Sequence, residues 1–277
     1  MIAAELTATR RLSPSQGWSS RTLSDLWAYR ELLYFFIWRD VKVRYKQTLL
    51  GAGWAIVQPL MTMVVFTVFF GHLAKIPSDG LPYPVFSLVA LVPWSYFASA
   101  LGGCSTSLSG YQHIISKVYF PRLIIPLAAV IAPLVDFAIG FVILIGFMAW
   151  YRIVPGATIL WLPALMLLAV GTAAGVGIWL AALNVRYRDV RYVVPFVVQL
   201  WMFATPVAYP ASLVPGRWRA AYGLNPMAGV IEGFRWALAG GPAPGPITLV
   251  SAAVVVAMIV AGAIYFRRLE GTFADVI

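Results

Sequence analysis

The sequence predicts an all-α membrane protein: six transmembrane helices, an N-terminal interfacial amphipathic helix, and a re-entrant external helical hairpin between spans five and six. Three observations predict it. Apolar runs near 54–71, 83–101, 123–150, 158–183, 192–210 and 247–266 are long enough to cross a bilayer, which takes about 20 helical residues. Charged residues make up only 11% of 277, with mean hydropathy +0.83, where soluble domains carry about a quarter. Lys and Arg divide fifteen to five between the two sides that alternating spans define. That bias places both termini in the cytoplasm, because basic residues gather there.

Residues 1–25 hold Arg10, Arg11, Arg21, Pro14 and several serines, the composition of a loosely ordered cytoplasmic tail. Ser24–Asp25 offers an N-cap for 26–47, a run without Pro or Gly that mixes Leu, Tyr, Phe and Trp with Arg30, Arg39, Lys42, Arg44 and Lys46. Its unbroken apolar part is too short to span. Aromatics beside abundant basic residues fit a helix lying in the membrane interface, and the charged preamble of a first span is the plainer reading. The transmembrane domain then occupies 48–277.

The stretch 184–210 organises the rest. Arg186, Arg188, Asp189 and Arg191 crowd its first third, and nothing after Arg191 is charged. A charge at a bilayer centre costs about 2.5–3.5 kcal/mol on insertion scales, so this basic hinge marks where the membrane ends. Prolines interrupt nearly every span (Pro59, Pro93, Pro126, Pro133, Pro195, Pro206). Their freed carbonyls need other partners, which suits helices that line a cavity and also suits passive kinks. Between spans five and six, 211–240 is too interrupted to cross. Asn225-Pro226 is a helix start, an N-cap followed by proline at the first helical position, and Glu232 and Arg235 are spaced for an i,i+3 pair. Two short helices dipping into the outer leaflet would place Trp218, Tyr222, Phe234 and Trp236 at headgroup depth.

Several chemistries are excluded. There is no GxxxxGK[ST] loop to bind ATP, no HExxH, and one cysteine, Cys104, so no disulfide within the chain and no thiolate metal cage. His72 and His113 fall on opposite sides, and no metal site is expected. A membrane-embedded enzyme would need a base partner for one of the serines, and none is evident. The net charge of +10 is better matched by anionic membrane lipids than by nucleic acid.

Asp136 is the acid inside an apolar span. Such a carboxylate faces a wet cavity or pairs with a cation, or else it is hydrogen-bonded and fixes packing. The loop 109–122 holds a short helix, a handle for a soluble partner through Tyr111, Ile114, Ile115 and Val118, or simply a connection. Trp54, Gln58, Thr62 and Val65 share one face of the first span, and Tyr192, Pro195, Gln199, Met202 and Pro206 one face of the fifth. Amides and aromatics there suit a sugar-chain conduit, while packing between helices is the more common role at these spacings.

The stretches RYKQTLLGAGWAIVQPLMTMVVFTVFFG, PVFSLVALVPWSYFASAL, HIISKVYFPRLIIPL, RYRDVRYVVPFVVQLWMFATPVAYP and YGLNPMAGVIEGFRWAL, in order across about 40–240, resemble permease subunits of ATP-binding-cassette exporters. The nearest branch exports lipid-linked polysaccharides: O antigen, capsule and teichoic acid precursors. The resemblance implies a homodimer in a bacterial inner membrane, served by two separate ATPase subunits that bind the ATP and Mg, with no cofactor in this chain. It implies that 26–47 is the interface helix and that 109–119 carries a coupling helix docked on the ATPase. Tyr111, His113, Ile114, Lys117, Arg186 and Arg188 would then serve coupling. Trp54, Gln58, Thr62, Tyr192, Gln199 and Met202 would line the conduit, and 211–240, with Trp218, Tyr222, Asn225, Glu232 and Arg235, would form the external gate. The expected substrate is a polyprenyl-linked polysaccharide. Export of a drug or small lipid, an ATP-independent channel and a secondary transporter are the alternatives.

Overall fold

The computed structural model describes residues 26–46, 53–115, 117, 118, 120–245, 247–271 and 273. The tail 1–25, the Ser24–Asp25 cap and Gln47 lie outside the described residues. Every regular element among the described residues is helical.

Helix α1 (Arg30–Lys46) precedes α2 (Gly53–Phe66), which loosens into a π-helical turn at Thr67–Leu73. The centre of the fold is α3 (Tyr83–Gly110), buried along most of its length. Around it pack α5 (Ile124–Ile131), α6 (Leu134–Trp150), α7 (Leu162–Arg186), α8 (Val190–Phe203) and α10 (Pro226–Ala239). Short α4 (Gln112–Ile115) and α9 (Arg219–Gly223) sit in connections, and α11 (Ile247–Glu270) closes the chain against α7.

Among the described residues, five segments are long and apolar enough to cross: Gly53–Leu73, Tyr83–Gly110, Ile124–Trp150, Ala157–Arg186 and Thr248–Glu270. The expected span at 192–210 is helical only over Val190–Phe203, 14 residues or about 21 Å at 1.5 Å per residue, short of a hydrocarbon core of about 30 Å. Its end is chemical. The helix stops before Thr205-Pro206, and the freed carbonyl of Ala204 accepts from the Asn225 side-chain amide at 3.2 Å.

The span 123–150 is also broken, at Ala132–Pro133. Just before the break the Val130 carbonyl accepts from the Tyr96 hydroxyl at 3.1 Å, a substitute partner where the helix ladder is interrupted. The break places Asp136, still mid-span, in the first turn of α6, where the positive end of the helix dipole favours a carboxylate.

Helices α7 and α11 touch through glycine. A Cβ on Gly262 would sit 2.6 Å from the Gly175 carbonyl oxygen, and one on Gly175 2.9 Å from the Ile259 nitrogen. Small residues let backbones approach this closely where lipid supplies no hydrophobic drive between helices. Helix α10 is likewise sunk into the fold, with Gly229 against Ser251 and Gly233 against Leu165. Phe234, expected at headgroup depth, is instead fully buried and edge-on to Phe137 at 6.2 Å. A glycine one residue before it lets the helix sink that far.

Candidate functional site

Three places gather the candidate residues. The first is a trough of about 600 Å³ bounded by α2, α3, α6 and the end of α8, with Trp54, Gln58, Thr62 and Met202 on its walls. Asp136 sits in the same trough. At its mouth the Arg44 guanidinium and the Tyr45 hydroxyl, from the last turn of α1, donate one to each carboxylate oxygen of Asp136. The acid is therefore both paired with a cation and exposed to the trough. Burial, followed by the bond to Asp136, pushes the Tyr45 phenol up and keeps it a donor.

Tyr192 and Gln199 do not border the trough. They lie exposed on the outer face of α8 beside Phe196, and Tyr192 accepts from Arg191 at 2.8 Å. Thr62 spends its hydroxyl on the Gln58 carbonyl at 2.9 Å. The trough also holds Trp94, Ser95 and Ser99 of α3, which the sequence reading passed over. Ser95 and Ser99 are one turn apart, the spacing that would have flagged a polar stripe.

The second place is the end where α1, the 111–122 loop and the C-terminus meet. The Tyr111 ring lies 5.1 Å from Phe36 and 4.4 Å from the Arg39 guanidinium carbon, and its hydroxyl donates to Asp40. Burial first, then that bond, raises its pKa. Tyr111 and Ile115 are thus turned inward, and the outer surface here belongs to Gln112, His113, Lys117 and Val118, with Ile114 half-buried. Of the expected partner contacts, Tyr111 holds the loop to α1 and Ile115 is buried, while Ile114 and Val118 keep surface. An aromatic ring flanked by Phe36 and Arg39 gains more there than in water.

The backbone N–H of Arg122 donates to Glu270 at 3.2 Å, and Phe273 packs on Phe266 at 5.2 Å. Arg186 and Arg188 are exposed at the same end. Arg188 borders a recess of about 550 Å³ with Ser109, Gln112, Asn184 and Arg191.

At the far end of α3, Asn225 joins two helices. Its Oδ1 accepts from the Met227 backbone at 3.2 Å, capping α10, and from the Trp201 indole at 2.9 Å. Its Nδ2 donates to the Ala204 carbonyl and to the Thr205 hydroxyl. Trp218 is exposed. Tyr222 shares a hydrogen bond with Tyr209, and burial together with that bond raises its pKa. Arg235 is buried: it donates to the carbonyls of Val207 at 3.1 Å and Tyr209 at 3.3 Å, above the Phe86 ring. Burial lowers its pKa to about 10, so it stays cationic at neutral pH, and Glu232 acts on it as a nearby charge.

Residues 31–239 match the sequence profile described as ABC-2 type transporter. The chain belongs to the ABC-2 type transporter family. Among curated relatives, this ABC-2 chain is 28% identical over 218 residues to the O-antigen export system permease protein RfbA of Myxococcus xanthus, covering 78% of this chain and 83% of that one. It is 27% identical over 250 residues to the protein of the same name from Klebsiella pneumoniae, covering 89% and 95%. The polysialic acid transport protein KpsM of Escherichia coli is 22% identical over 198 residues, covering 70% and 76%. Membership and the long apolar helices make this ABC-2 chain a multi-pass membrane protein.

Proposed function

We propose that this chain is the permease subunit of an ATP-binding-cassette exporter that carries a polyprenyl-linked polysaccharide, of the O-antigen kind, out across the inner membrane. Two copies form the conduit, and two separate ATPase subunits bind ATP and Mg and supply the power. The observation that carries the reading is the polar trough. It places Gln58, Ser95, Ser99 and Asp136 beside the indoles of Trp54 and Trp94 on one side of the monomer, and sugar rings need such hydroxyl partners and flat apolar faces. One chain leaves large apolar faces on α2 and α8 exposed, among them Met61 and Val64 on the first and Phe196 and Leu200 on the second. A second copy covering such faces would close the trough into a channel and bring Tyr192 and Gln199 toward the seam.

Coupling follows from α1. Phe36, Asp40 and Arg44 are four residues apart and share one helix face. The first two grip Tyr111 of the loop, and the third, with Tyr45, grips Asp136 in the trough. A push on Gln112, His113 or Lys117 by an ATPase would be carried by a rigid helix to the conduit mouth. In this orientation both termini are cytoplasmic and the Asn225–Arg235 end faces out.

Deleting the chain tests the function. Lipid-linked glycan should accumulate inside the cell and disappear from its surface. Surface polysaccharide at the parental level after deletion would refute the proposal.

A further inference from the structure

A third cavity, of about 610 Å³, lies at the opposite end of α3 from the 111–122 loop. Phe86 borders it near the start of α3, while the loop follows Gly110 at the helix end, about 36 Å along the axis at 1.5 Å per residue. Its volume is in the range of small-ligand sites, about 300–1,000 Å³. The chemistry around it is specific. Asp79 and Glu232 contribute carboxylates, Arg235 a guanidinium and Tyr222 a phenol, and the glycine- and proline-rich run 240–245 forms one wall.

The groups are held in place. Asp79 sits at φ +49°, and its carboxylate accepts from the Ser212 hydroxyl at 3.2 Å. Arg235 is 8% exposed, with both terminal nitrogens spent on backbone carbonyls, and its Nε–H is buried without an acceptor. Buried donors are normally satisfied, so Nε–H is a donor that no described group of the protein uses.

Charge selects the ligand class. Two carboxylates against one guanidinium leave the cavity net negative, which disfavours phosphate, carboxylate and the diphosphate of a lipid carrier. A long apolar ligand would strand two carboxylates. A neutral polyol fits: neighbouring hydroxyls donate to carboxylate oxygens, and a ring or hydroxyl oxygen accepts from a guanidinium.

We infer that this cavity is an exit-side glycan subsite. It takes neutral sugar units of the chain being exported, with Glu232 and Asp79 accepting from their hydroxyls and Arg235 donating. The inference rests on the proposed polysaccharide reading and adds a binding site outside the conduit. A subsite there would hold the emerging polymer and oppose back-sliding between power strokes.

The test uses the full chain with its ATPase partner in nanodiscs. The probe is the cell's own surface polysaccharide, released from its lipid by mild acid and titrated calorimetrically. Glu232→Gln and Asp79→Asn should each weaken binding about tenfold, the loss of one charge-assisted hydrogen bond. Asp79 is exposed, and Asn tolerates positive φ equally well, so that variant probes the site without threatening the fold. Val142→Ala, exposed on α6 and outside both cavities, should leave the affinity unchanged. Excess inorganic phosphate should not compete. No binding by the parent, equal binding by both acid variants, or displacement by phosphate would each overturn the subsite. The export reading fails separately, if cells lacking the chain still display surface polysaccharide.

Discussion

Replacing Arg44 by Gln removes the cation that faces Asp136 and leaves the carboxylate unpaired in the trough. A pair sealed from water loses about 3–5 kcal/mol when one partner goes, and exposed pairs carry about 0.2–1 kcal/mol. The two side chains here are 40% and 26% exposed, which puts the loss between these limits, at about 1–2 kcal/mol. That is roughly tenfold in the ratio of docked to undocked α1 ends. Asp136→Asn added to Arg44→Gln should recover most of the loss, because two neutral amides facing each other leave no orphaned charge.

Exchanging the pair, Arg44→Asp with Asp136→Arg, should recover less. A cation would then sit at a helix N-terminus, costing about 0.3–1 kcal/mol. Spin labels on exposed Val43 and Val142 read the docking directly, since Cys104 is buried away from reagents. The parent should give one distance, Arg44→Gln a second and longer population, and the double neutral variant the parental distance again. If the two neutral substitutions simply add, the ion pair does not hold α1 to the trough and the coupling route through α1 is wrong.

Three further outcomes follow from the same geometry. Gly175→Leu should lower the melting temperature of the purified chain by several degrees, from overpacking of about 1–3 kcal/mol. The clash is with the backbone of Met258 and Ile259, whereas Gly102→Ala, whose Cβ meets nothing within 4 Å, should leave the melting temperature unchanged or raised. Asn225→Ala loses a cap of about 1 kcal/mol and strands the Trp201 indole. Hydrogen exchange at residues 227–230 should accelerate at least about fivefold, and parental exchange there would remove Asn225 as the link between α8 and α10. Tyr111→Leu keeps an apolar side chain but drops the bond to Asp40 and the contact with Arg39. ATP hydrolysis should continue while export per ATP falls several-fold, and an unchanged ratio would show that the loop does not act through α1.

Much of this was legible in the chain because lipid restricts what can cross it. The apolar runs marked the five long spans among the described residues, although the second runs nine residues further than its run, to Gly110, and Asn225-Pro226 announced a helix start that the structure forms with the side-chain cap in place. What was hidden depended on distance in sequence. Asp136 was recognised as needing a partner, but its cation is 92 positions away, at the end of a helix. The inward turn of Tyr111 was invisible for the same reason, since Phe36 and Asp40 supply its surroundings. Phe234 read as an interfacial aromatic because the aromatics around it in sequence are amphipathic. Only the spacing Gly229 to Gly233, one turn apart on α10, signalled that this helix could sink into the core. The short α8 was masked by continuous hydropathy, which does not register the stop at Thr205-Pro206.

The central claim is that this chain is a conduit driven from outside itself. Proteoliposomes bearing the purified chain, with and without its partner ATPase, and loaded with lipid-linked glycan in the leaflet equivalent to the cytoplasmic one, test it most directly. Glycan should reach the opposite leaflet against a gradient only when ATPase and ATP are both present, and should stop when the ATPase cannot hydrolyse. Uphill transport by the chain alone would contradict the account.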